Sequence, residues 1–337
     1  MPSVPTAWAR ALHLFTAVEY HLDRSQVAAD AVPCSRARAD TPIIDIRPQT
    51  QGPTSADLHR LAAGDPLELV LNGRYRLERL LGRGGMGAVY LARTLSSGQR
   101  VAIKVLDIDE HHYRWAVTQF IREARLAARI HHANIVEIHD FGTTSRGVVY
   151  IVMEHLEGRD LEAMLRDRRL GWGWTRYVML QVCAGVEAIH EGGVVHRDLK
   201  ASNCFYVERE ATIKILDFGV ATTERRQLED ASGAVVGTPE YMAPEQIRGE
   251  PLDRRADVYS AGALLCKLLT GRAPFRGCTT EELFNHQLHT APPPLRTLAR
   301  GLHFPRGLED IVARALAKDP SERFSTMAEL GDALASL

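Results

Sequence analysis

Residues 194–207 read VVHRDLKASNCFYV. Apolar residues flank a polar centre in which Asp198, Lys200 and Asn203 fall within six positions. A polar insert between apolar runs is ordinarily just a turn. An anion, a cation and an amide set together beside a core need a further reason, because buried charge is costly unless something pairs with it. Transfer of a terminal phosphoryl group supplies one. That reaction asks a protein for positioning, for neutralised phosphate oxygens and for an acceptor of the hydroxyl proton. Asp198 can orient an incoming hydroxyl and take its proton. Lys200 can neutralise the phosphate in transit, and Asn203 offers a hard carbonyl oxygen to a divalent cation. A second oxygen ligand is then expected nearby, and ILDFG provides Asp217 at the end of a strand-like run. Mg²⁺ suits such a site because it takes few protein ligands and shares the rest with phosphate and water.

Upstream, LGRGGMGAVY places Gly82, Gly84 and Gly87 in the spacing G-x-G-x-x-G. In a dinucleotide-binding unit this spacing joins a strand to a helix. Here it lies between two strand-like runs, so it reads as a hairpin tip whose backbone N–H groups can approach phosphate. Taken alone it is equally an ordinary glycine-rich hairpin. Lys104 ends VAIK inside an otherwise apolar strand, where an unpartnered ammonium would lose its proton or destabilise the fold. Glu123, on the apolar face of FIREARLAARI, is the expected partner, leaving Lys104 to hold phosphate oxygens.

The 337 residues are 45 % hydrophobic and 25 % charged, a globular composition. A net charge of -1 argues against a nucleic-acid partner. Five scattered cysteines without a C-x-x-C pair argue against a disulfide framework or zinc site and fit a reducing, cytoplasmic setting. The longest apolar stretches are too short for a membrane span. Only five of the 41 basic residues are lysine. Residues 1–72 read as an N-terminal extension. Trp8, Leu12, Phe15 and Leu22 mark one amphipathic helix, expected to dock on this chain or on a partner, and a Pro- and Arg-rich linker follows. From residue 73 strands come first and helices after, which predicts an α+β protein of two lobes.

HRDLKASN, DFG, VAIK, the glycine loop and APE at 243–245, in this order and spacing, resemble the signature set of protein kinases. LGRGGMGAVY, GTPEYMAPEQ and AKDPSERF are similar in particular to bacterial serine/threonine kinases of eukaryotic type. The resemblance covers roughly residues 74–337. It implies a kinase domain at 73–337, with a small β-rich N-lobe carrying one helix (73–155) and a helical C-lobe (156–337). It also implies ATP as phosphoryl donor, Mg²⁺ or Mn²⁺ as its metal, and protein Ser and Thr hydroxyls as acceptors.

By that resemblance Asp198 and Lys200 are the catalytic pair, and Asn203 and Asp217 hold metal. ATP is expected to meet Leu81, Gly82, Arg83, Gly84, Gly85, Met86, Gly87, Ala88 and Val89 in the loop, then Lys104 with Glu123. Met153 stands as gatekeeper, Glu154 to Leu156 as the adenine-binding hinge, and Asp160 as a ribose contact. Phe205 forms the floor, where an aliphatic residue is usual. Glu245 is expected to pair with Arg323, and Asp257 to brace the catalytic loop. Lys200 and Thr238 are the variants typical of serine/threonine specificity. Arg197, before the catalytic aspartate, suggests control by phosphate on the activation segment, with Ser232 the expected autophosphorylation site. A kinase-shaped scaffold without activity and a small-molecule phosphotransferase are the competing readings. The first normally lacks one of Lys104, Asp198 or Asp217. The second lacks the GTPEYMAPE shelf that supports an extended peptide.

Overall fold

The computed structural model describes residue 57 and residues 69–84, 87–106, 124–167, 169–217 and 238–337, all within one compact unit spanning 50–337. The N-terminal helix, Gly85, Met86, Glu123 and Ser232 lie outside the described residues.

Six strands form the first sheet: β1 (Leu69–Leu71), β2 (Tyr75–Gly84), β3 (Gly87–Thr94), β4 (Arg100–Leu106), β5 (Ile138–Thr143) and β6 (Val149–Glu154), ordered β1-β2-β3-β4-β6-β5 with antiparallel pairing throughout. The strand β1 pairs with the start of β2, so the sheet takes in residues that the sequence reading assigns to the extension. Alternation sorts the side chains into two faces. Tyr75, Leu77, Ala88, Tyr90, Ala92, Val101, Ile103, Val105, Tyr150 and Val152 build a core on one face. Val89, Ala102, Lys104 and Met153 alternate with them and point to the other, which is the face turned to the ligand cleft. Ala88 therefore meets the core with its side chain and the cleft only through its backbone.

Three short strands, β7 (Gly158–Asp160), β8 (Cys204–Val207) and β9 (Thr212–Ile215), make the second sheet in that order. Around it lie α1 (Leu161–Asp167), α2 (Trp172–Glu191), α3 (Pro244–Arg248), α4 (Arg255–Thr270), α5 (Thr280–His289), α6 (Leu295–Leu298), α7 (Leu308–Ala315) and α8 (Met327–Ala335). Residues 124–127 are the described part of a further helix. The α4 helix is buried along almost its whole length, with Tyr259, Leu264, Leu265 and Leu268 fully enclosed. It stops at Gly271, whose left-handed φ of 72° and N–H to Lys267 O (2.8 Å) close the C-terminus. The starts of α5 and α8 follow from Thr-x-x-Glu spacing. Thr279 and Thr326 accept the N–H of Glu282 (3.2 Å) and Glu329 (3.1 Å), and each glutamate reaches back to the N–H just ahead of its cap.

Among the links that join the sheets and the helical part, two lie at β9. Val136 N–H bonds Ile215 O (3.0 Å), and Ile215 N–H bonds Asn134 O (2.8 Å), so the segment before β5 lies along β9. At the end of β6 the Glu154 carboxylate accepts Lys214 Nζ from β9 at 2.7 Å and Glu137 N–H at 2.9 Å.

Candidate active site

The loop 194–200 leaves α2 and ends in a single 3-10 turn, Ala201–Asn203. Asp257, fully buried in the first turn of α4, holds it from beneath. Its carboxylate accepts the N–H groups of His196 (2.7 Å) and Arg197 (2.8 Å), and its Oδ2 meets His190 Nε2 at 2.7 Å. Burial alone would raise this carboxyl. The His190 hydrogen bond and charge, with His196 behind them, outweigh burial and hold it below the usual carboxylate range. Arg197 takes a left-handed φ of 68°, a conformation costing a non-glycine residue about 1–3 kcal/mol. The surroundings impose it, since Gln246 Nε2 from α3 also grips Arg197 O at 2.9 Å.

Asp198 Oδ2 accepts Lys200 Nζ at 2.7 Å and Asn203 Nδ2 at 3.0 Å. Among the described residues Oδ1 takes no hydrogen bond, which leaves one carboxylate oxygen for an acceptor hydroxyl. Asn203 Nδ2 also donates to Asp198 O (2.8 Å), so the amide is oriented with its carbonyl oxygen facing away. Leu216 N–H bonds Asn203 O at 2.8 Å, drawing the end of β9 against the loop. Asp217 follows directly, again with a left-handed φ (54°). Its Oδ1 lies 2.8 Å from Lys104 Nζ, which comes down from β4 and is only 7 % exposed. Polar contacts thus step from Lys200 through Asp198 to Asn203, and the backbone bond from Leu216 to Asn203 sets Asp217 and its partner Lys104 beside them, so the series crosses from the helical part to the first sheet. The sequence pairs Lys104 with Glu123; within the described residues its carboxylate partner is Asp217.

A cavity of about 600 Å³ opens between the sheets. Leu81 and Leu91 line it from above, Leu156, Gly158 and Phe205 from the hinge side and below, and Glu78, Arg79, Arg100, His155 and Glu157 at the rim. Gly82, Arg83 and Gly84 pair with Val89, Ala88 and Gly87, so only Gly85 and Met86 connect β2 to β3. Gly87 has φ 134°, and a Cβ there would fall 2.0 Å from Val105 O on β4. Gly87→Ala is therefore expected to push the loop off β4, costing more than about 1 kcal/mol. The effect should appear as weaker ATP binding in a calorimetric titration, whereas unchanged affinity and melting temperature would contradict it.

Asp160 and Glu154 have structural work besides what the sequence expects of them. Asp160 Oδ1 caps α1 by accepting Ala163 N–H at 2.7 Å, which leaves its other oxygen for the cleft. The Glu154 side chain is committed to Lys214, so any hinge contact with a base belongs to the backbone. Lys214 is a site-building residue that the sequence reading passes over. The available signal was the scarcity of lysine.

The shelf after the activation segment is tied down as the sequence motifs suggest. Arg323 forks onto Glu245 with Nη1–Oε1 2.7 Å and Nη2–Oε2 2.8 Å, both side chains almost fully buried. Thr238 opens the turn Pro239–Tyr241 and accepts Tyr241 N–H at 3.1 Å. Ser260 Oγ holds Tyr241 O at 2.8 Å. Lys267 ties Glu162 of α1 at 2.8 Å and Glu240 of the shelf at 3.6 Å.

Comparison with known proteins agrees with this geometry. The protein kinase domain family matches residues 75–333. Serine/threonine-protein kinase Pkn1 of Myxococcus xanthus is 43 % identical over 277 residues, covering 81 % of this chain and 39 % of that protein. Serine/threonine-protein kinase pkn2 of the same organism is 41 % identical over 276 residues, covering 80 % and 33 %. This chain thus spans only a third to two fifths of the length of these relatives. The crystal structure of the Mycobacterium tuberculosis PknI kinase domain superposes with a TM-score of 0.64 at 28 % identity, covering 80 % of this chain and 97 % of that one. With the motifs, the two-sheet architecture and the matched span in agreement, the chain belongs to the protein kinase family.

Proposed function

We propose that this chain is a serine/threonine protein kinase that moves the γ-phosphoryl group of ATP to hydroxyls on protein substrates. The observation that carries the reading is the series of contacts from Lys200 to Lys104, which spans both halves of the cleft and leaves one oxygen of Asp198 open. The acceptor hydroxyl donates its proton towards Asp198 Oδ1. Lys200 is held on Oδ2, where its ammonium can screen the phosphoryl oxygens as the hydroxyl oxygen forms its bond to phosphorus and ADP leaves. Lys104 reaches the phosphates from above, fixed at its depth by Asp217. The cavity lined by Leu81, Leu156 and Phe205 takes the adenine, and the Phe205 ring offers it a broader floor than an aliphatic side chain would.

The Asn203 amide oxygen and the Asp217 carboxylate are hard donors whose orientation the loop already fixes, and they fit Mg²⁺. When bound, such an ion neutralises the phosphate oxygens of ATP. Mn²⁺ satisfies the same donors. Protein acceptors are favoured over small ones by the buried Glu245–Arg323 anchor and the turn at Thr238, which give the shelf a fixed shape on which a peptide can lie. The four described cysteines are free thiols, and no described helix is long and apolar enough to cross a membrane.

The test is incubation with γ-labelled ATP, Mg²⁺ and a pool of Ser-, Thr- and Tyr-containing peptides, followed by phosphoamino-acid analysis. Phosphoserine and phosphothreonine are expected. Label confined to free small molecules, or none transferred, would overturn the proposal.

A further inference from the structure

The five lysines of the chain divide four to one. Lys104, Lys200, Lys214 and Lys267 each sit 2.7–2.8 Å from a carboxylate oxygen, of Asp217, Asp198, Glu154 and Glu162 respectively. Lys318, just after α7, is built differently. Its Nζ donates to the backbone carbonyl of Gln287 at 2.7 Å, with His286 O and Tyr259 OH at 3.4 Å. Phe275 presents its face at 4.0 Å and Tyr259 at 5.6 Å.

Among the described residues no carboxylate pairs with Lys318. Glu245 is taken by Arg323, and the Asp319 side chain turns to Ser321 N and Oγ at 2.7 Å. The His286 ring is engaged with Arg276 O at 2.7 Å. The ring faces favour the ammonium, but burial, and after it the Arg323 cation, oppose it more strongly and bring Lys318 down to about 8. The side chain stays partly exposed.

The surroundings also connect this amine to the peptide shelf. Gln287, whose carbonyl Lys318 holds, is fully buried, accepts Tyr259 OH at 2.7 Å and donates its Nε2 to Pro239 O in the turn after Thr238. Anything that displaces Lys318 from Gln287 therefore acts on the shelf.

We propose that Lys318 is a modification site: the one lysine of this chain whose amine accepts an activated acyl group, with the consequence that the peptide shelf loosens. The neutral amine attacks the acyl carbon of an acyl phosphate or acyl thioester. A C–N bond forms, the C–O or C–S bond breaks, phosphate or thiolate leaves with the electron pair, and the surplus proton on nitrogen passes to water. The resulting amide has lost the positive charge and keeps one N–H, where the ammonium had three to share among Gln287 O, His286 O and Tyr259 OH.

The test exposes the full chain to acetyl phosphate and, in a separate arm, to acetyl-CoA across pH 7 to 10, quantifying each lysine by mass spectrometry. Lys318 is expected to react at least about fivefold faster than any other lysine at pH 8, its rate levelling off above about pH 9 while an ordinary lysine gains about tenfold per pH unit. The arm that reacts identifies the donor class. Reaction at Lys318 no faster than at Lys267, or a rate still climbing tenfold per unit through pH 9, would overturn the assignment, whether or not the chain phosphorylates anything. The consequence for the shelf rests on the proposed kinase activity. The acetylated wild type should show a peptide KM raised about three- to tenfold with the KM for ATP unchanged. The Lys318→Arg variant, which cannot be acylated at that position, should keep its peptide KM under the same treatment. Preferential labelling with an unaltered peptide KM would refute the link to Gln287.

Discussion

Asp198→Asn is expected to lower phosphoryl transfer to a Ser/Thr peptide by about 10²–10⁴-fold, the usual contribution of a positioned general base, while leaving ATP affinity within a factor of about two. The variant separates chemistry from architecture. An asparagine oxygen can still accept the bonds that Lys200 and Asn203 now give to Oδ2, so the loop keeps its shape. What disappears is the carboxylate oxygen facing the acceptor. Single-turnover transfer measured beside a calorimetric ATP titration distinguishes the outcomes. A parallel fall in affinity would mean that Asp198 organises the loop, and an unchanged rate would remove it from the chemistry.

The second large effect concerns stability. Glu245→Ala is expected to cost about 3–5 kcal/mol, because it strands the Arg323 guanidinium in a site with almost no exposure. Arg323 would keep its contacts with the carbonyls of Ala317 (2.8 Å), Arg255 (2.9 Å) and Lys318 (3.2 Å), but these neutral acceptors do not replace a carboxylate. Replacing both partners with apolar residues of similar volume should recover much of the loss, since the pair also carries a desolvation penalty. Denaturant unfolding of the two single variants and the double variant provides the test. Additive losses would show that the two groups are not coupled as the geometry requires.

Much of this architecture is legible in the sequence for identifiable physical reasons. The strands β3 and β4 are legible as apolar runs because they are buried on both faces: one face enters the core with Tyr90, Ile103 and Val105, and the other carries Leu91, Ala102 and Lys104. The α4 helix is legible from start to finish because a long, mostly apolar stretch closes on Gly271. Thr-x-x-Glu spacing marks the starts of α5 and α8 within about two residues. The short strands are not legible in this way. The strand β1 has three residues and β7 has three, too few to show a period, and their pairing depends on partners distant in the chain. The α1 helix escapes because its seven residues make only about two turns, too few to show a period.

In the site, what chemistry demands could be read directly: an acid, an amide and a lysine at fixed spacing. The positioning contacts could not. Gln246 gripping Arg197 O, and Lys214 fixing Glu154, join residues 49 and 60 positions apart. Such long-range polar pairs leave no local pattern. Cys204 and Phe205 depart from the family's usual aliphatic pair, and the structure absorbs them differently. Cys204 is wholly buried, and Phe205 stands at the cavity opposite Lys214 in the β8–β9 register.

Lys104, Asp217 and the catalytic loop are expected to act on one nucleotide. The most direct test is the Mg²⁺ dependence of ATP binding, measured calorimetrically for the wild type, Asp217→Asn and Lys104→Met. Wild-type affinity should rise at least about tenfold with Mg²⁺. Asp217→Asn should lose most of that gain, and Lys104→Met should bind weakly with or without the ion. An Asp217→Asn variant that keeps the full Mg²⁺ response would show that Asp217 is not where the metal-bound triphosphate sits.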